Sequence, residues 1–281
     1  RNVTRDTWAI YIQDIWDVTE DLNFTLGVRH DQYDDFGGAT SPRAAIVWHV
    51  QTNWDIKLLY GEAFRAPTFN ELYFMNNPSR IGNPDMDAER MRTYEASVGY
   101  NISTFSARLT YFNNTITNNI RQMLVPGTRA ALKFENSGGA NVNGIEAEMM
   151  AELMTGVILY ANYTHQRAED KDTDKKLPDV ADHKGNVGFN ALLLGKLNVN
   201  MNVFMTGDLP RANGDNRKPV PGYALVDLTL ILKNFYKTFE VRASAHNLFD
   251  KEYFDPSPAN TVPGDYPREG VNYMLEVRYK L

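Results

Sequence analysis

Apolar and polar residues alternate with a period of two over most of this chain. At its end, Val271, Tyr273, Leu275, Val277, Tyr279 and Leu281 share one face, and Asn272, Met274, Glu276, Arg278 and Lys280 share the other. Leu197, Val199, Met201, Val203 and Met205 alternate in the same way with a row of asparagines, Asn198, Asn200 and Asn202, continued by Phe204 and Thr206. Ala224 to Leu232, Phe239 to Ala245 and Phe24 to Val28 repeat the pattern. Successive side chains on a strand point to opposite faces, so this period specifies β-structure with one apolar and one polar face. About thirteen such segments occur, each of roughly ten residues, the length a tilted strand needs to cross a bilayer. The reading predicts an all-β, antiparallel fold without a substantial helix.

A soluble sandwich or barrel also alternates, with its apolar face turned inward. Two observations favour a membrane. The connections alternate in length. Short turns are expected near residues 19–21, 51–53, 101–103, 153–156, 195–196 and 233–235. Longer loops are expected at 34–40, 65–92, 114–130, 167–183, 207–222 and 248–270. Outer-membrane barrels are asymmetric in this way, with short periplasmic turns and long outer loops. Aromatic rings are also sorted to strand ends. Trp16, Trp48, Trp54, Tyr100, Phe105, Tyr236 and Tyr279 lie beside short turns or the C-terminus, and Trp8, Tyr60 and Tyr163 lie near the opposite ends. Rings at both ends with aliphatic residues between them form an interfacial girdle. The polar face carries Arg29, Glu95, Arg108, Glu146, Glu148, Glu240, Arg242, Glu276 and Arg278. The absence of any run of 18 apolar residues excludes a spanning helix but not a spanning barrel.

Composition removes other classes. A net charge of -6 without a basic patch argues against nucleic-acid binding. The chain has no cysteine, hence no disulfide frame and no thiolate chemistry. It opens on Arg1, so an upstream segment is expected to have been removed by processing or truncation.

One stretch breaks the alternation. "LYGEAFRAPTFNELYF" begins as a strand and turns into a polar excursion of residues 65–92 before alternation resumes near Thr93. Loops this long are uncommon unless they are functional or disordered. Together with "GNPDMDAERMRTYEASVGY", it resembles a signature region of TonB-dependent outer-membrane receptors, in Phe64-Arg65-Ala66-Pro67 and Gly82-Asn83-Pro84, with Met86 where the family usually has Leu. "YIQDIW", "FENSGGANVNGIEAEM" and "HNLFDKEY" match further family segments in order, so the resemblance covers essentially the whole chain.

The resemblance implies a transmembrane β-barrel in the bacterial outer membrane, of about 22 strands in full. The match is to about the last thirteen, so residues 1–281 are expected to be the C-terminal portion, with the plug and first strands absent. The family usually ends in an aromatic residue and this chain ends in Leu281, which bears on assembly. The implied function is uptake of a ferric siderophore, energised by TonB–ExbB–ExbD through a plug. Cobalamin uptake, a passive porin-like channel and a barrel adhesin stand as alternatives. An isolated portion is expected to leave an open or strained sheet between Trp8 and Tyr279, because unpaired backbone is costly in lipid.

The outer loop 65–92 is where ligand would arrive, and Arg65, Tyr73, Phe74 and Met75 are the candidate contact residues. Arg65 suits an anionic ligand or an intraloop ion pair. The three apolar residues suit a ligand or packing within the loop. No enzyme is expected: Glu146 and Glu148 lie two apart but lack a nucleophile or partner base. No cofactor or metal is expected either. His30, His49, His165, His183 and His246 are scattered in sequence, none at metal-ligand spacing, and residues 66–82 hold no histidine of the kind seen in haem receptors. The Asp-rich segment 167–183 lacks EF-hand spacing and reads as a solvated loop, as does 207–222.

Overall fold

The computed structural model describes residues 3–75, 77, 79–127, 131–233, 236, 238–259 and 264–279. Its strands are β1 (Thr7–Thr19), β2 (Leu22–Tyr33), β3 (Gly37–Gln51), β4 (Trp54–Arg65), β5 (Arg80–Ile81), β6 (Glu89–Ile102), β7 (Phe105–Thr117), β8 (Ile120–Leu124) and β9 (Leu132–Asn136), then β10 (Gly139–Met154), β11 (Val157–Asp170), β12 (His183–Leu193), β13 (Leu197–Thr206), β14 (Tyr223–Leu232), β15 (Phe239–His246), β16 (Phe254–Asp255), β17 (Tyr266–Pro267) and β18 (Asn272–Tyr279). Thirteen of them form one sheet in the order β1-β2-β3-β4-β6-β7-β10-β11-β12-β13-β14-β15-β18, so β1 and β18 are the ends of that order. The short strands form two small sheets, β5-β9-β8 and β16-β17. One five-residue helix, α1 (Phe69–Tyr73), interrupts the otherwise all-β description.

By its internal contacts the chain divides into two compact units. The first comprises Arg1–Ser97, Tyr111–Asn143 and Glu169–Lys175, and the second comprises Val98–Thr110, Gly144–Ala168 and Lys176–Leu281.

Register sorts the side chains within each unit. In the first, Trp16 pairs with Phe24, Phe24 with Ile46 and Ile46 with Leu58. In the second, Val187 pairs with Val203 and Val203 with Val226, while Leu230 pairs with Val199 and Ala243, and Ala243 with Leu275. Val241 lies opposite Val277 on the same face, and Arg242 lies opposite Glu276 on the other. The polar face of this unit is rich in amides: Asn162 opposes Asn186, Asn190 opposes Asn200, and Asn202 opposes Asp227. Asn198 Nδ2 donates to Asn190 Oδ1 at 2.9 Å.

The apolar face is the exposed one. Leu275 is 72% exposed, and Trp8, Ile10, Ile12, Leu58, Leu109 and Val277 are exposed with it. Burying such side chains is worth about 1.5–3 kcal/mol each, so a sheet that displays them in rows is built for a solvent other than water. No helix among the described residues is long and apolar enough to cross a membrane.

Most of the expected short turns sit where the pattern put them, between β1 and β2, β3 and β4, β6 and β7, β10 and β11, and β12 and β13. The sixth, 233–235, lies partly outside the described residues. Leu194 and Gly195 take φ values of 50° and 65°, and Lys196 N–H donates to Leu193 O at 3.1 Å, which makes a primed hairpin turn.

Four loops are shorter than expected, one of them because β11 runs on to Asp170 inside 167–183. β3 begins at Gly37, so 34–40 is a tight turn rather than a long loop. β6 begins at Glu89, ahead of the predicted Thr93. β7 runs on to Thr117, and the β8–β9 hairpin starts at Ile120, inside the span expected to be loop. The outer ends of these strands show no regular alternation of apolar and polar residues, so the hydrophobic period fades while the backbone ladder continues.

Candidate functional site

The described residues of the excursion after β4 are held from several sides. Thr68 caps α1: its hydroxyl accepts from Glu71 N–H at 3.3 Å, and Glu71 Oε2 accepts from Thr68 N–H at 2.7 Å. This reciprocal capping box explains why "TFNE" turns into a helix directly after Pro67. Leu72, 1% exposed, is the helix's buried anchor, and Met86 and Ala88 are buried in the same loop region.

Arg65 lies at the root of the loop. Its guanidinium contacts Glu71 Oε2 at 3.0 Å and Glu89 Oε2 at 3.2 Å, and Glu89 Oε2 also accepts from Ile120 N–H at 3.2 Å. Burial raises the Glu71 carboxyl pKa, but the Thr68 N–H and the Arg65 guanidinium outweigh it and hold the group below its usual range. Of the two readings of Arg65 left open by the sequence, the intraloop ion pair is the one formed here. Tyr73 and Phe74 are half-buried, whereas Met75 is 70% exposed.

The family motifs have physical reasons in this geometry. Gly82 N–H donates to Phe74 O at 2.8 Å, and Asn83 N–H donates to Glu71 O at 2.8 Å, so the Gly-Asn pair folds back against the end of α1. Asn136 accepts from Asp87 N–H at 2.7 Å and donates to Asp87 O and Asn118 O, tying β9 to the approach to β6. A Cβ on Gly139 would lie 2.0 Å from Ile116 O, which leaves glycine alone at that position.

Arg5 was not legible as a site residue. It bonds Asp35 at 2.7 Å and Pro67 O at 2.8 Å, and its guanidinium lies 4.9 Å from the Phe69 ring. Its partners are distant in sequence and no local motif marks it.

The loop 207–222 of the second unit is largely solvent-facing, as expected, and is also held by specific contacts. Leu209 and Val220 pair as an isolated bridge and bury themselves with Ala181. Arg211 grips Asp265 with two hydrogen bonds of 2.7 and 2.6 Å. Arg217 bonds Asp215 at 2.6 Å and Ser257 O at 2.6 Å. The Arg211 guanidinium holds the Asp265 carboxyl down at about 2, and Arg217 does the same for Asp215, also about 2. In the first unit, Asp170 Oδ1 accepts from Asp172 N–H and Thr173 N–H, and Arg121 pairs with Asp170 at 2.7 Å. These carboxylates organise turns.

An antiparallel sheet with exposed aliphatic rows, a polar opposite face and elaborated loops at one end defines an outer-membrane β-barrel protein. The chain belongs to the TonB-dependent receptor-like β-barrel family, whose model matches residues 1–248.

It is 26% identical over 296 residues to the iron-regulated outer membrane virulence protein of Vibrio cholerae, covering 98% of this chain and 44% of that one. It is 28% identical over 293 residues to heme/hemopexin utilization protein C of Haemophilus influenzae, covering 90% and 41%. The crystal structure of the siderophore receptor PirA from Acinetobacter baumannii superposes with a TM-score of 0.85 at 22% identity, covering 98% of this chain and 46% of that one. The chain thus spans less than half the length of the relatives it matches.

Proposed function

We propose that this chain is the C-terminal portion of the barrel of a receptor that imports a ferric siderophore. The plug and first strands would come from sequence outside it, and TonB–ExbB–ExbD would supply energy through that plug. The observation that carries the reading is the capped, pinned outer loop of the first unit. It presents Met75 to solvent, holds Tyr73 and Phe74 half-buried, and keeps Arg65 beside two carboxylates. An apolar, aromatic shelf with one cation in reserve suits a metal chelate with aromatic and anionic parts. In this reading Met75, Tyr73 and Phe74 touch the ligand, and Arg65 exchanges one carboxylate for an anionic oxygen of it. The relatives' names include iron-regulated, haem and vitamin B12 proteins, so ligand class is the point to test. The role is transport, without chemistry on the ligand.

The experiment is uptake of radiolabelled iron by iron-starved cells carrying the whole receptor, with haem and cyanocobalamin in parallel. The expected result is TonB-dependent uptake of a ferric siderophore, reduced by Met75→Asp and Tyr73→Ala. Uptake of haem or cobalamin alone would overturn the ligand assignment. Uptake independent of TonB would point to the porin-like alternative.

A further inference from the structure

Antiparallel pairing of β11 with β12 places His165 directly opposite His183, two residues far apart in sequence. Their imidazoles stack with centroids 4.6 Å apart and planes at 25°. The Tyr163 hydroxyl lies 2.7 Å from His183 Nδ1. Tyr163 faces Gly185 across the ladder, and its ring stacks on His183 with centroids 6.1 Å apart and planes at 25°. Both histidines and Tyr163 are exposed. They lie on the apolar face of the strands, beyond the last aliphatic pair of that face, Ala161 and Val187.

This arrangement has the parts of a metal site. Directly opposed residues on antiparallel strands hold their Cβ atoms about 4.5–5.5 Å apart, which lets two imidazoles reach one ion at metal–nitrogen distances of about 2.0–2.1 Å. The reach requires the His165 ring to turn out of its stack. A phenol oxygen accepting His183 Nδ1–H leaves the Nε2 lone pair as the donor and fixes the ring's orientation, the usual task of a group behind a ligating histidine. The neighbouring carboxylate, Asp182, is engaged by Lys176. Two neutral nitrogens with water in the other positions suit imidazole-seeking divalent ions, Cu²⁺ ahead of Ni²⁺ and Zn²⁺, and do not suit Ca²⁺ or Mg²⁺. We propose that His165 and His183 form an exchangeable surface site for a divalent transition-metal ion, oriented by Tyr163. The site is independent of which ligand the receptor imports.

Cu²⁺ titration of the purified protein in detergent, read by electron paramagnetic resonance and calorimetry, tests this. The expected spectrum shows a single bound ion with coupling to two nitrogens. His165→Asn and His183→Asn should each weaken binding by about tenfold or more, and Tyr163→Phe by about tenfold with the two-nitrogen signature kept. The triple variant His30→Asn, His49→Asn, His246→Asn should bind as the parent does. A second measurement needs no variant: Cu²⁺ should protect His165 and His183 from diethyl pyrocarbonate, read by mass spectrometry. Equal modification with and without the ion, or undiminished binding in the His165 and His183 variants, overturns the site.

Discussion

A Cβ atom placed on Gly82 would lie 2.5 Å from the backbone nitrogen of Phe74, so the two residues keep their contact only while position 82 has no side chain. The Gly82 N–H to Phe74 O hydrogen bond of 2.8 Å is made across the same approach. Gly82→Ala should therefore cost about 1–3 kcal/mol locally, the range for overpacking, and free the segment that carries Met75. Limited proteolysis should show new cleavage within 65–92 and ligand uptake should fall. Gly61→Ala, where a Cβ meets nothing within 4 Å, should change neither. Equal behaviour of the two variants would refute the account.

The second unit's loops should loosen in acid. Asp265 and Asp215 both titrate at about 2 in the folded state, below the ordinary aspartate value of about 3.9. A lowered folded pKa gives stability that is complete above the ordinary value and lost as pH falls through the folded one. Hydrogen exchange in 207–222, corrected for intrinsic rates, should hold steady from pH 7 to 5. It should then accelerate between about pH 4 and pH 2. Asp265→Asn should exchange faster at pH 7 and lose part of this acid dependence, the remainder coming from Asp215. An acid transition of full size in that variant would contradict the assignment.

Leu194 is 100% exposed and sits at φ 50°, a left-handed conformation that side chains other than Asn, Asp and Gly adopt at a cost. Leu194→Asn creates the Asn-Gly pair that primed turns favour. It should stabilise the protein by about 1 kcal/mol in urea unfolding from lipid vesicles. A neutral or destabilising result would mean that the turn relaxes in the bilayer.

Leu230 stands between Val199 and Ala243 on the apolar face, and Thr229 stands between Asn200 and Ser244 on the polar face. Leu230→Arg should cost about 2–4 kcal/mol at midplane depth, and Thr229→Arg should cost much less. Vesicle-based unfolding measures both. If the order reverses, the sheet's register relative to lipid is off by one residue.

Much of the sheet was legible because a period of two survives wherever one face meets hydrocarbon. It failed at the outer strand ends. Gly37, Gly38, Ala39 and Thr40 show no alternation, yet His30 pairs with Thr40 and Gln32 with Gly38. The motifs around Gly82 and Asn136 were visible as patterns, but their purpose lies in close approaches that only coordinates reveal. Arg5 and the pair His165–His183 gave no local signal, since strand register creates their contacts. In 207–222 the mix of Asp, Arg and Pro concealed the two residues that matter for packing, Leu209 and Val220.

The amide-rich face of β12 and β13 has a consequence for conditions outside the cell. Asn186, Asn190, Asn198, Asn200 and Asn202 carry hydrogen-bonding amides without charge, and Asn198 donates to Asn190. Neither acidity nor dissolved salt alters such groups, because they hold no proton to lose and present no field to screen. The ion-paired loops above them respond to both. The second unit therefore joins a weather-sensitive rim to a run of amides whose chemistry stays constant from brine to fresh water.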